Sequence, residues 1–305
     1  MFYITAVLHL SYYLGSDQFL WHNMYGNSLT WSCLGTFSFI SGYLLAKKYC
    51  CDSTKQVLYF YKKRLLRFYP LFIISTICLY LIGFNDIKQS IYGLLGLAPF
   101  VSFPPYTLWY ISMMMVFYLL SPIVLIRDNK KRIIRSVLLL SIFVVLSRFI
   151  HIDLRFIFNL LVYLLGVCAT GFEKSLPTLT KTRGMILKAL IIGLYILAFL
   201  NMGAINNVFL LRKIVDILGI FVLFIVASLI KMDRCEKIIY KISYLSMSFY
   251  LFHRLTYWLF LEIYKPQNET VFLLYLILTV PIGMFMSFYI QKSYDIVMSV
   301  KKSKS

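Results

Sequence analysis

Ser28-Leu-Thr-Trp31-Ser32-Cys33-Leu-Gly-Thr-Phe37-Ser38-Phe-Ile-Ser41-Gly42-Tyr43-Leu-Leu-Ala46 runs for nineteen residues without a charge, and the following stretch, 47–67, holds seven Lys or Arg. As a helix rising about 1.5 Å per residue, such a run crosses a hydrocarbon layer about 30 Å thick. The abrupt change to Lys47-Lys48 is how a membrane segment ends on a basic, cytoplasmic side.

Comparable apolar runs occur at 1–15, 68–84, 107–126, 133–150, 154–172, 185–202, 212–230, 243–263 and 271–291, which makes ten with 28–46. They predict an all-α polytopic bundle of about ten transmembrane helices, a single integral membrane domain over residues 1–305 with no separate soluble domain. Only 14% of the 305 residues are charged, against about 25% in soluble domains. The mean hydropathy is +0.78. The apolar stretch Ile91 to Val101 is too short to span and reads as re-entrant or interfacial. Segment 1–15 is also short, opens at Met1 and lacks a flanking basic cluster, so the first helix reads as truncated.

Lys and Arg set the expected orientation. The loops after segments two, four, six and eight and the C-terminal tail carry seven, five, four, four and four of them, 24 of the 31, and seven remain for the other side and the segment interiors. Both termini are therefore expected in the cytoplasm. The net charge of +19 follows from this placement and does not point to nucleic acid. The six cysteines show no metal-ligand spacing, and no metal is expected.

Ionisable side chains are costly in a bilayer and are functional candidates by default. Here they are His9, Arg148, Asp153, Arg155, Asp216, His253, Arg254 and Glu262. A histidine is the side chain best matched to proton transfer near neutral pH; the plain alternative is a histidine bonded to a neighbouring helix. Arg64 and Arg67, three apart, share a helix face and suit multidentate phosphate binding, or serve only as topology anchors. Ser41 and Gly42 permit close helix packing, or line a substrate path.

Five stretches, in order, resemble the membrane acyltransferase-3 family. They are Ala6-Val-Leu-His9; Phe39-Ile-Ser41-Gly42-Tyr43-Leu-Leu; Tyr61-Lys-Lys-Arg64-Leu-Leu-Arg67-Phe-Tyr69-Pro70; Leu108-Trp109-Tyr110 with Phe117-Tyr118-Leu-Leu-Ser-Pro122; and Ser248-Phe-Tyr-Leu-Phe-His253. The resemblance implies transfer of an acyl group, usually acetyl, from cytoplasmic acetyl-CoA to a hydroxyl of a cell-surface polysaccharide or lipid-linked sugar, in the inner or plasma membrane. It implies His9 as the catalytic histidine, Arg64 and Arg67 as holders of the CoA phosphates, and Ser41, Trp109 and His253 as substrate-contacting residues. The chain departs from the family in two places. The basic residue often found eleven positions before the histidine would precede Met1, and Met114 stands where some branches have Glu. A transporter or flippase of a cell-envelope precursor is the competing reading, since polar residues at mid-membrane also fit that class.

Overall fold

The computed structural model describes residues 24–105, 108–171, 181–205, 208–229, 236–263 and 269–303. Every regular element among them is helical: α1 (Met24–Lys48), α2 (Thr54–Leu81), α3 (Ile87–Leu94), a 3₁₀ turn (Ala98–Phe100), α4 (Trp109–Val124), α5 (Asn129–Leu146), α6 (Leu154–Ala169), α7 (Lys181–Leu200), α8 (Met202–Ile205), α9 (Phe209–Leu229), α10 (Glu236–Ile263) and α11 (Glu269–Ser303). The all-α expectation holds for these residues. The expected first segment, 1–15, lies outside them. Among the described residues two helices, Tyr25–Lys48 and Thr54–Leu81, are long and apolar enough to cross a membrane, and three shorter ones, Trp109–Val124, Leu154–Ala169 and Gly184–Leu200, are apolar.

The stretch 47–67 departs most from its sequence reading. Its charge suggests a loop, yet α2 begins at Thr54 and continues to Leu81. Ser53 starts it with a capping box: its Oγ accepts from the Gln56 N–H at 3.4 Å, while Gln56 Oε1 accepts from the Ser53 N–H at 3.1 Å. Arg64 and Arg67 therefore stand on the same helix as the apolar turns that follow, not on a loop.

The short apolar stretch after α2 forms α3 and the 3₁₀ turn. Asp86 and Gln89 cap α3 reciprocally, at 2.7 and 3.0 Å. Its eight residues extend about 12 Å, less than half the hydrocarbon thickness, as the sequence implies.

The chain packs as two compact units, residues 35–187 and residues 1–34 with 188–305, so α1 contributes to both. In the first unit α1 and α6 cross backbone to backbone. A Cβ on Gly42 would collide with the Tyr163 carbonyl, and one on Gly166 with the Phe39 carbonyl. Around that crossing Phe143, Phe156, Phe117 and Tyr163 form a chain of rings with successive centroids 5.0, 5.3 and 5.3 Å apart. α5 and α6 run antiparallel, tied by Arg132, whose Nη1 donates to Thr170 Oγ1 at 2.7 Å and whose Nη2 donates to the Ile126 carbonyl at 2.6 Å.

In the second unit α10 and α11 form an antiparallel pair. Tyr244 bonds Asp295, Ser248 donates to Gln291 Oε1 at 2.5 Å, and Tyr275 donates to the Phe260 carbonyl at 3.3 Å. The first turns of α1 meet α9 where Gly219 leaves room for Ser32; a Cβ there would strike the Ser32 hydroxyl.

Candidate active site

Within residues 35–187 the basic turns of α2 come together with α1 and α4. The Arg64 guanidinium lies over the Tyr49 ring, 5.0 Å from its centroid. Its Nε is shielded from solvent and has no hydrogen-bond partner. A cation held against an aromatic face gains about 0.5–2 kcal/mol, but that contact leaves the Nε–H donor unused. A buried donor without a partner costs about 1–3 kcal/mol, so the arrangement is suited to an incoming acceptor such as a phosphate oxygen. Lys62, Lys63 and Arg67 are exposed on the neighbouring turns.

Arg64, Arg67 and the Ser41 hydroxyl of α1 all act electrostatically on Tyr118 of α4. Three of the sequence-predicted site residues, Ser41, Arg64 and Arg67, thus influence one tyrosine that sequence reasoning did not single out. The available signal was position: Tyr118 falls in the quoted Phe117-Tyr118 stretch, about two and a half helical turns after Trp109. Gly42, next to Ser41, is used for the close approach to α6, whereas the Ser41 hydroxyl turns to Tyr118. A second pair lies alongside. Ser121 Oγ donates to the Phe117 carbonyl at 2.6 Å, so the Tyr163 hydroxyl, 2.6 Å away, donates to Ser121.

The loop between α1 and α2 adds two cysteines to this end. Cys51 is 7% exposed, and burial pushes its thiol up to about 11. It stays protonated at neutral pH and is a poor nucleophile. The Cys50 thiol donates to Asp52 Oδ2 at 2.9 Å. That bond first, then Arg127, holds the Asp52 carboxyl below the usual carboxylate range.

Trp109 stands at the other end of α4, about 13 Å along the axis from Tyr118. The Arg155 guanidinium covers its ring at 4.5 Å, and Arg155 is paired with Asp153 at 2.5 Å. Between these ends Ser38 donates to Asn159 Oδ1 at 3.0 Å and accepts from the Tyr110 hydroxyl at 3.0 Å. Hydroxyls and one amide therefore line the inside of this unit from Trp109 to Arg64.

His253 belongs to the other unit. It is 1% exposed, and its Nδ1 donates to the Tyr250 carbonyl at 2.6 Å. That bond places a proton on Nδ1. Phe249, Tyr250 and Tyr257 surround it, with centroids 6.2, 5.5 and 5.5 Å away. His9 lies outside the described residues.

A family model described as an acyltransferase domain, that of acyltransferase 3, matches residues 1–289. Neither the curated proteins nor the solved structures give a match.

Proposed function

The chain belongs to the acyltransferase-3 family, and from that premise we propose that it is a multi-pass membrane O-acyltransferase. In this reading it moves an acyl group, acetyl in the first instance, from cytoplasmic acyl-CoA to a hydroxyl of a cell-surface polysaccharide or lipid-linked sugar. It resides in the inner or plasma membrane with both termini in the cytoplasm, and needs no metal. The observation that carries the reading is the Arg64 site: a guanidinium on a capped helix, with a shielded Nε that lacks a partner, on the face where basic residues concentrate.

Apolar surface supports the membrane placement. Ile134, Val137, Leu138, Ile142 and Val145 on α5, and Met185, Ile186, Leu190 and Leu197 on α7, are all more than half exposed. Soluble proteins rarely show such continuous apolar patches, whereas lipid-facing helices require them.

The residues divide the chemistry as follows. Arg64, with Arg67 on the next turn, holds the CoA phosphates at the cytoplasmic end. The Ser41–Tyr118 pair and the hydroxyls beyond it give a polar lining through which the thioester arm reaches into the unit. His9 takes the proton of the acceptor hydroxyl as its oxygen attacks the thioester carbonyl. The new C–O ester bond forms, the C–S bond breaks, and the departing CoA thiolate takes up a proton. A base of matched pKa contributes about 10²–10⁴-fold, and alignment of the two substrates contributes further.

The test is His9→Ala in membranes supplied with radiolabelled acetyl-CoA. Acyl transfer should fall by at least about 100-fold while the protein level stays constant. A transporter would release no CoA in response to acceptor, and unchanged acylation in the variant would count against His9 as the base.

A further inference from the structure

The first turn of α9 reads Phe209-Leu-Leu-Arg212-Lys213. The charge bias places this turn on the side that, together with the segment interiors, holds only seven of the 31 basic residues, so topology signalling does not account for the two cations. The helix dipole does not either, since it disfavours positive charge in a first turn.

The fold supplies only part of the balancing charge. Asp216 is completely buried. Its Oδ1 accepts from Ser28 Oγ at 2.8 Å, and its Oδ2 accepts from Lys213 Nζ at 3.0 Å. Lys213 is further fixed by the Trp31 ring, 4.2 Å from its ammonium. Ser32 Oγ donates to the Asp216 carbonyl at 3.2 Å, and the Ser32–Gly219 contact holds α1 close against α9. One carboxylate thus stands beside two cations. The second cation, Arg212, has an Nε that is shielded from solvent and makes no hydrogen bond. A shielded Nε–H with no partner calls for an acceptor, preferably an ionised one.

We propose that Arg212 and Lys213, positioned by Asp216 and Trp31, form an acceptor-side subsite for an oxyanion carried by the sugar substrate. The oxyanion is either a carboxylate on the sugar or the phosphate that links it to a lipid. The inference rests on the acyltransferase reading and narrows its acceptor to an anionic carbohydrate. Asp216 and Trp31 act through Lys213, holding its ammonium at the mouth of the site.

The experiment titrates the full chain, purified in dodecyl maltoside and saturated with CoA to fill the cytoplasmic site, with glucuronic acid, glucose 1-phosphate and glucose. At least one of the two anionic sugars should bind, more tightly than glucose, and the one that binds identifies carboxylate or phosphate as the source. Arg212→Gln should weaken that binding about tenfold or more, Arg212→Lys should weaken it less, and Arg64→Gln should leave it unchanged. If Arg212→Gln does not yield monodisperse protein, Lys213→Gln carries the same expectation. The proposal is overturned if neither anionic sugar binds the wild type, if glucose binds equally well, if Arg212→Gln has no effect, or if Arg64→Gln causes the same loss. Arg212-dependent binding in a protein that releases no CoA with any acceptor would overturn the acyltransferase reading and leave this site standing. CoA release together with anion binding indifferent to Arg212 would do the reverse.

Discussion

Helix α1 makes polar contacts in both units, and the two sets differ in kind. Ser38 bonds a tyrosine and an asparagine, and Ser41 acts on a second tyrosine, all neutral. Ser28 and Ser32 bond the side chain and backbone of Asp216, a carboxylate paired with Lys213. Neutral hydrogen bonds between helices in a membrane each contribute about 0.6 kcal/mol and are an ordinary means of helix packing. A buried ion pair is different, because desolvating both charges offsets most of their attraction. The difference teaches where to look for function. The neutral set is sufficiently explained as packing and as a polar lining, whereas the charged set, with a surplus cation beside it, is not.

The contrast can be broken most forcefully at Asp216. Asp216→Ala leaves Lys213 without its carboxylate and Ser28 without its acceptor, and should destabilise the protein by about 3–5 kcal/mol in thermal unfolding in detergent. A cost near zero would mean that the carboxylate and the lysine do not form a working pair. The neutral set should respond less. Ser38→Ala removes one partner each from Tyr110 and Asn159 and should cost about 1 kcal/mol by the same measurement, with acyl transfer retained. If Ser38→Ala proved as damaging as Asp216→Ala, the distinction between the two halves of α1 would collapse.

Much of the fold is legible in the sequence, because a long uncharged run satisfies its own backbone polar groups most readily as a helix. Runs such as 28–46 and 154–172 give α1 and α6 to within a few residues. The stretch 47–67 misleads because charge lowers its hydropathy. Its helical start was nonetheless marked by Ser53 and Gln56 at capping-box spacing. The candidate site is legible only in its members. Arg64 and Arg67 share a face by their spacing, and Asp216 stands out as an acid in an apolar run. The sequence does not show that Ser41 reaches Tyr118, that Arg64 lies over Tyr49, or that Ser28 finds a carboxylate 188 positions away. Helical periodicity fixes the face a residue occupies and leaves its partner to tertiary packing.

The central claim, that a cytoplasmic acyl-CoA docks on Arg64, is tested most directly by the acetyl-CoA dependence of acyl transfer in membranes containing Arg64→Gln. A charge-assisted hydrogen bond to phosphate is worth about 1.5–3 kcal/mol. The KM for acetyl-CoA should therefore rise about tenfold or more while kcat at saturation changes far less. An unchanged KM, or a loss confined to kcat, would contradict the account.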